Sequence, residues 1–219
     1  MAGYAAIVLA GGAGRRLGAA DKPELVVGGR PLLHVVLDAV ADAAPRIVVG
    51  PPRTLPAGVL GTREHPPGGG PVAALAAGLS LVPAATGEVA LLAADLPFLT
   101  PAAVTALREA LAVAAPPDAT PGSATAPGPG AAERGSASEP DAVVFTDGER
   151  RQLLCAAWRT EPLRKRMAAL GEPTGLALRQ LYTGVAVTEI TSHDHPPPWY
   201  DCDTEADLRR AKAWCEGDS

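Results

Sequence analysis

The feature that most constrains the fold is an alternation of short apolar segments with helix-like segments along the first half of the chain. Three short apolar runs predict strands: 4–10, 46–50 and 88–95. Three segments with a proline at or near their first turn predict helices: 30–43, 71–82 and 100–113, the last with Thr100 as its N-cap. Strands that are apolar along their whole length are covered on both faces. The alternation therefore predicts a parallel α/β sheet with helices on both sides.

The second half of the chain begins with a segment of different character. Residues 114–140 contain 23 Ala, Pro, Gly, Ser or Thr among 27, and no Ile, Leu, Val, Met or aromatic residue. Such a segment buries too little apolar surface to offset its ordering entropy, which predicts a disordered surface loop. Folded structure resumes with predicted strands at 141–147, 151–159 and 184–190. The predicted helices of this half are 161–170, 175–182 and 204–215, the last with Thr204 as its N-cap.

Composition excludes several classes of protein. The formal net charge is −5 and the isoelectric point is about 5.4, so the totals give no basic face for nucleic acid. The three cysteines form no C-x-x-C pair, which predicts neither a zinc site nor a disulfide framework and favours a reducing compartment. No run of 18 apolar residues occurs, and the N-terminus lacks the features of a signal peptide. We expect a cytoplasmic protein with no membrane contact.

The glycine-rich stretch LAGGAGRRLGAADK, residues 9–22, directly follows the first predicted strand. It is not a P-loop, because Lys22 is followed by proline rather than Ser or Thr. It is not a dinucleotide fingerprint either, because Leu17 occupies the third glycine position. Three cations, Arg15, Arg16 and Lys22, remain on a glycine loop whose backbone N–H groups can face phosphate. The pattern favours a triphosphate site over a tight turn with solvated charges.

Acidic residues follow a strand and precede a helix in positions that suit a metal ion. Asp95 ends the apolar run 88–95, at the sheet edge where open α/β folds place their ligands. A carboxylate there suits Mg²⁺ that is also held by phosphates, although Asp95 could instead cap the turn before the next helix. Asp201 and Asp203 form a second acidic pair just before the last helix. Their alternative role is compensation of the helix dipole.

Several motifs together resemble those of one family, the MobA-like nucleotidyltransferases. The stretch LAGGAGRRLGAADKPELVVGGRPLLHVV is similar to the family pattern LAGG-x-x-x-R-x-G-x-x-K followed by a G-x-P-L helix. Four further segments resemble family motifs in the same order: PPGGGPVAALAAGL, LLAADLPFLTP, GERRQLLCAAWR and YDCDTEADLRRA. The similarity covers nearly the whole chain except 114–140. It implies a three-layer α/β/α nucleotidyltransferase fold with a mostly parallel, Rossmann-like central sheet.

The resemblance also implies the domain organisation and the residues of the site. Residues 1–219 form a single domain, with a nucleotide-binding half at 1–113 and an acceptor-binding half at 141–219. Catalytic roles fall to Lys22, Arg15, Arg16 and Asp95. Nucleotide contacts fall to Leu9, Ala10, Gly11, Gly12, Gly14, Lys22, Gly50, Glu64, Gly70, Pro71 and Asp95. Mg²⁺ is the implied cofactor, with ligands Asp95, Asp203 and Asp201.

Four of these residues depart from the family pattern. Asp201 and Asp203 stand where the family often has asparagine, and Glu64 stands near a position that is usually aspartate. Gly50 replaces an asparagine that often contacts the nucleotide. A Glu64 carboxylate can accept from the N1–H and N2–H groups of guanine, which favours GTP. Trp158, in the acceptor-binding half, could stack on a pterin or fill the core, and core packing is favoured.

The implied reaction is transfer of GMP from GTP to the phosphate of molybdopterin or Mo-molybdopterin, with release of pyrophosphate. GTP and molybdopterin are then the expected partners, and a monomer is compatible with the resemblance, with transient docking on molybdoenzymes or their chaperones left open. Two alternatives remain at this point. One is a nucleotidyltransferase of the same superfamily that uses CTP or another acceptor. The other is an inactive nucleotide-binding partner protein, suggested by the changes at Gly50 and Glu64.

Overall fold

The fold was analysed in a computed structural model, which describes residues 3–11, 21–113 and 139–217. The strands are β1 (Tyr4–Leu9), β2 (Val26–Val27), β3 (Arg30–Pro31), β4 (Arg46–Val49), β5 (Val59–Thr62), β6 (Glu88–Ala93), β7 (Ala142–Thr146), β8 (Arg151–Arg159) and β9 (Val187–Ile190). The helices are α1 (Leu32–Ala39), α2 (Pro71–Leu79), α3 (Pro101–Ala112), α4 (Thr160–Leu170), α5 (Leu178–Leu181) and α6 (Glu205–Glu216). A 3₁₀ turn covers Lys22–Glu24.

Seven strands form one sheet in the order β5-β4-β1-β6-β8-β7-β9, so strands from both halves of the chain share it. The pairs β5–β4, β4–β1, β1–β6 and β7–β9 are parallel. Strand β8 runs antiparallel to both of its neighbours, β6 and β7. The predicted mostly parallel α/β fold is therefore confirmed.

The core lies on both faces of this sheet, as the apolar strands require. Along β1, Tyr4, Ala6 and Val8 pack with buried residues of α1 and α3. The alternate positions Ala5, Ile7 and Leu9 pack on the other side, with residues of α2, α4 and α5. Since successive side chains of a strand point to opposite faces, this division gives the three predicted layers.

Two predicted N-caps are present in the structure. The Thr100 Oγ1 accepts a hydrogen bond from the Ala103 N–H at 3.1 Å, and Pro101 begins α3. The Thr204 Oγ1 accepts from the Asp207 N–H at 3.2 Å, while the Asp207 carboxylate accepts from the Thr204 N–H at 2.8 Å. This reciprocal pair fixes where α6 begins, directly after Thr204.

The helix predicted at 30–43 is shorter than expected at both ends. Gly28 and Gly29 have positive φ angles of 57° and 77°, and they turn the chain into a hairpin of β2 and β3. Residues 30–31 therefore belong to β3, and α1 begins only at Leu32. The helix ends at Ala39, and a turn follows in which the Ala43 N–H donates to the Val40 carbonyl.

Two further differences concern elements with weak apolar patterns. The edge strand β5 is not predicted from the sequence, because Val59–Thr62 includes Gly61 and is largely exposed. It forms by parallel pairing with β4. The helix predicted at 175–182 is reduced to Leu178–Leu181.

Most of the predicted loop 114–140 lies outside the described residues. Within the part of the chain that the structure describes, none of the helices has the length and apolar character needed to span a bilayer.

Candidate active site

A cleft of about 1050 Å³ opens at the carboxyl ends of β1 and β6. Its floor is formed by the last residue of each strand, Leu9 and Ala93, which are direct partners in the sheet. The chain leaves β1 toward β4 on one side and returns to β6 on the other. The cleft therefore lies at the point where the strand order reverses, which is the usual ligand site of open α/β sheets.

Lys22 and two carboxylates form the polar centre of this cleft. The Lys22 Nζ lies 3.2 Å from the Asp95 Oδ2 and also forms an ion pair with the Asp203 Oδ1. Asp95 follows β6 by two residues, and Asp203 directly precedes the N-cap of α6. The three residues are separated by up to 181 positions in sequence, so only the fold brings them together.

A backbone contact brings the start of α6 to the end of β6. The Cys202 N–H donates to the Asp95 carbonyl at 3.2 Å. Phe98 packs against Tyr200 and Trp214, with ring centroids 5.9 and 5.7 Å apart. These contacts carry Asp201 and Asp203 to the cleft, and both residues line it.

Burial and the neighbouring charges shift the pKa values of Lys22 and Asp201. Desolvation alone would lower the pKa of Lys22, but the hydrogen bond to Asp203 and the negative charges of Asp95 and Asp203 outweigh it and raise that pKa. The pKa of Asp201 is raised by desolvation and then by the Asp203 and Asp95 carboxylates. Lys22 is thus held as an ammonium, and the carboxylates repel one another.

Excess negative charge gives this cluster the character of a cation site. Among the described residues of this cluster, one lysine faces three carboxylates, a donor set of hard oxygens that suits Mg²⁺. No group of three or more His, Cys, Asp or Glu side chains is preformed as a metal cage among the described residues. The two cysteines nearby contribute no thiolate, because burial raises the pKa of both Cys155 and Cys202 to about 12. The arrangement suits an ion held by one or two carboxylates and completed by substrate phosphates.

Glu64 lies in the same cleft, beside the start of α2. Its Oε1 accepts a hydrogen bond from the Gly68 N–H at 2.9 Å. Its Oε2 is buried and has no hydrogen-bond partner among the residues that the structure describes. Gly70, with φ 90°, and Pro71 begin α2 and also line the cleft. A buried carboxylate oxygen without a partner is costly, so it is suited to accept a hydrogen bond from a ligand.

Gly50, for which a nucleotide contact is predicted, is not among the residues that line the cleft. It is buried at the end of β4, and its N–H donates to the Thr62 carbonyl at 2.9 Å. A Cβ at this position would lie 2.7 Å from the Ala10 carbonyl oxygen and 3.1 Å from the Gly11 nitrogen. The absence of a Cβ at Gly50 therefore allows the backbone at the end of β4 to pack closely against Ala10 and Gly11, which line the cleft.

Replacement of Gly50 by Ala is expected to lower the free energy of unfolding by about 1–3 kcal/mol, because backbone atoms at the end of β1 must shift to admit the Cβ. Urea unfolding measures the change. Gly87→Ala is the matched control, since a Cβ there meets nothing within 4 Å. Equal stability of the two variants would contradict the proposed close packing behind Ala10.

One side of the cleft is formed by side chains of the predicted acceptor-binding half, 141–219, that were not chosen as site residues from the sequence. These residues are Gln152, Leu154, Cys155 and Trp199. Arg63, next to Glu64 in the chain, also lines the cleft. Trp199 packs against Phe145 with ring centroids 5.0 Å apart. The only signal for Trp199 was its position two residues before Asp201, and the signal for Gln152 was its place in the motif GERRQLLCAAWR. Trp158, by contrast, is fully buried, as favoured from the sequence.

The structure brings most of the predicted site residues to one cleft. Leu9, Ala10, Gly11, Lys22, Glu64, Gly70, Pro71, Asp95, Asp201 and Asp203 all line it. The predicted contacts of Gly12, Gly14, Arg15 and Arg16 lie outside the described residues.

Comparison with known proteins gives a consistent result. The sequence model for the MobA-like NTP transferase domain matches residues 6–186. A molybdenum cofactor guanylyltransferase of Bradyrhizobium sp. (strain ORS 278) is 38% identical over 102 residues, which are 42% of this chain and 48% of that protein. One of Acidiphilium cryptum (strain JF-5) is 38% identical over 123 residues, 50% of this chain and 59% of that protein. The chain thus spans about half the length of the curated relatives it matches.

Solved structures agree with the fold. Molybdopterin-guanine dinucleotide biosynthesis protein A from Archaeoglobus fulgidus has a TM-score of 0.65 at 18% identity, covering 97% of this chain and 99% of that one. The 2-C-methyl-D-erythritol 4-phosphate cytidylyltransferase from Thermus thermophilus has a TM-score of 0.64 at 19% identity, covering 98% and 99%. At these identities the likeness establishes the fold alone.

Proposed function

Since the chain belongs to the MobA-like NTP transferase domain family, we propose that it transfers GMP from GTP to the phosphate of molybdopterin or Mo-molybdopterin, releasing pyrophosphate. The observation that carries this proposal is the position of Lys22. Its ammonium lies between Asp95 and Asp203 in a cleft at the carboxyl edge of the sheet. A cation beside paired carboxylates suits binding of a metal-complexed triphosphate.

The proposed reaction needs little proton transfer from the protein. An oxygen of the acceptor phosphate forms a bond to the α-phosphorus, and the bond from that phosphorus to the bridging oxygen breaks. Pyrophosphate leaves with the electron pair. The second pKa of a phosphate monoester is about 6, so the nucleophile is mostly ionised at neutral pH. The tasks of the site are in-line positioning and compensation of charge, in which Lys22 would hold the phosphates.

Asp95 and Asp203, with Asp201 beside them, are the residues that would hold Mg²⁺ in this proposal. When bound, the ion supplies charge neutralisation to the triphosphate oxygens. Its fit to this chain is supported by the hard-oxygen donors of Asp95, Asp201 and Asp203, which outnumber the single lysine among the described residues of this cluster. Substrate phosphates would complete the ligand set.

Glu64 supports guanine over cytosine. The fold does not choose a base, because the structural neighbours include both a guanine dinucleotide biosynthesis protein and a cytidylyltransferase. The buried Glu64 Oε2 needs a donor, and guanine offers adjacent N1–H and N2–H donors, a pair that cytosine and adenine lack. Because a cytidylyltransferase shares the fold, CTP-dependent transfer is the second candidate function.

The acceptor is proposed to lie toward Gln152 and Trp199. Both residues line the cleft, and Gln152 lies on β8, on one side of β6, whereas Glu64 follows β5 on the other side. The indole of Trp199 packs against Phe145. A fused ring such as a pterin suits this side chain because aromatic rings stack favourably on an indole face.

Thermal unfolding with Mg²⁺ and each of GTP, CTP, ATP and UTP tests the nucleotide, and pyrophosphate release on addition of molybdopterin tests the reaction. A nucleotide at 100 times its Kd stabilises by about 2.7 kcal/mol, or roughly 5–11 °C for a chain of this size. We expect this shift with GTP, together with acceptor-dependent pyrophosphate release. A shift with CTP alone would favour a cytidylyltransferase. A shift without turnover would favour an inactive nucleotide-binding protein.

A matched pair of variants tests the role of Glu64. Glu64→Gln replaces an acceptor oxygen by an amide that also donates, so the shift with GTP should fall while those with other nucleotides stay unchanged. Glu109→Gln, at an exposed position of α3, is the control. An unchanged GTP shift in Glu64→Gln would contradict base recognition by this carboxylate.

A further inference from the structure

Arg53 is a nearly buried arginine that joins two parts of the cleft. It lies in the connection between β4 and β5, and its side chain is only 6% exposed. Its Nη2 donates to the Ala10 carbonyl at 3.2 Å, just beyond the end of β1. Its Nη1 lies 3.2 Å from the Asp21 Oδ2 and 3.5 Å from the Glu24 Oε1.

The two acidic partners of Arg53 flank Lys22. Asp21 immediately precedes the 3₁₀ turn Lys22–Glu24, and Glu24 is its last residue. Arg53 also contacts both oxygens of the Asp21 carboxylate, because its Nη2 lies 3.4 Å from the Oδ1. One guanidinium therefore fastens both ends of this turn to the backbone at the end of β1.

We propose that Arg53 is a positioning residue, which holds the turn so that the Lys22 ammonium reaches Asp95 and Asp203. Arg53 does not line the cleft, so it acts through Lys22 rather than by contact with substrate. The kinetic part of this inference rests on the proposed function, whereas the structural part does not.

The chemistry of the side chain explains why arginine occupies this place. The planar fork presents several N–H donors in fixed directions, so it can hold a carbonyl and two carboxylates at once. A lysine would present a single ammonium on a flexible stem and could not hold the same three acceptors in fixed directions. The charge of Arg53 is also compensated locally by Asp21 and Glu24.

The first test is NMR of protein labelled with ¹³Cε-lysine, which reads Lys22 without any nucleotide. The chain has three lysines, Lys22, Lys165 and Lys212, so three side-chain signals are expected. In Arg53→Gln the Lys22 signal should shift, while those of Lys165 and Lys212 stay in place. An unmoved Lys22 signal would overturn the proposal.

The matched control is Arg159→Gln. Arg159 also combines backbone acceptors with a carboxylate, donating to the Pro140 and Leu111 carbonyls and pairing with Glu139, but it does not line the cleft. Its loss should leave the Lys22 signal unmoved even if stability falls. An equal shift of Lys22 in this control would overturn a specific role of Arg53.

The second test is a double-mutant cycle on pyrophosphate release. Arg53→Gln should lower kcat at least tenfold, and Arg53→Lys should fail to restore it. If Arg53 acts through Lys22, the double variant with Lys22→Met should be no slower than Lys22→Met alone. Full additivity would overturn this route.

If the unmodified protein releases no pyrophosphate, the proposed function fails, and the lysine spectra still decide the role of Arg53. If Arg53→Gln does not fold, the Arg53→Lys spectrum supplies the same decision, with its added lysine assigned separately.

Discussion

Replacement of Lys22 by Met is expected to lower the rate of pyrophosphate release at least 100-fold. The ammonium is the cation that contacts both Asp95 and Asp203 in the described part of the cleft. A preorganised charge of this kind is worth about 10²–10³ in rate when it faces charge that develops in the transition state. The measurement is initial-rate pyrophosphate release with Mg²⁺, GTP and molybdopterin.

Lys165→Met is the matched control for this substitution. Lys165 pairs with Glu161 on the exposed surface of α4, one turn away along the helix, so its removal should leave the rate unchanged. Retention of more than a hundredth of the rate in Lys22→Met would contradict the proposed role of the ammonium. An equal loss in both variants would indicate a nonspecific effect of charge.

Replacement of Trp158 by Ala is expected to cost about 3–5 kcal/mol of the free energy of unfolding, or roughly 6–20 °C in melting temperature. The indole is completely buried on β8, and its ring centroid lies 4.8 Å from that of Tyr182. Its Nε1–H donates to the Tyr182 hydroxyl at 3.1 Å, and that hydroxyl donates to the Leu153 carbonyl at 2.8 Å. The substitution therefore leaves both a large cavity and a disrupted polar chain.

Thermal unfolding of Trp158→Ala beside Trp199→Ala makes this comparison. Trp199 is half-buried and lines the cleft, so its loss should cost less than half as much stability. A similar loss in both variants would contradict the assignment of Trp158 to the core and of Trp199 to the cleft.

The predicted family and fold class are confirmed, because both depend on patterns that survive without tertiary information. The short apolar run of β1, ended by Gly11 and Gly12, predicts a strand covered on both faces, and Thr100 and Thr204 cap helices by contacts within three residues. The predicted elements differ from the structure where turn geometry or strand pairing outweighs the local sequence pattern. The pair Gly28 and Gly29 converts the start of a predicted helix into a hairpin, and β5 exists only through its pairing with β4.

Motif spacing and the end of a predicted strand are enough to mark Lys22, Asp95 and Asp203 as candidates for the site, because these patterns are local in sequence. Their meeting in one cleft could not be predicted, since contacts across as many as 181 positions depend on how the sheet orders its strands. The same holds for Arg53, Trp199 and Gly50, whose closest contacts are with residues distant in sequence. Local periodicity reports which face of an element is buried, but it carries no information about which distant segment packs against that face.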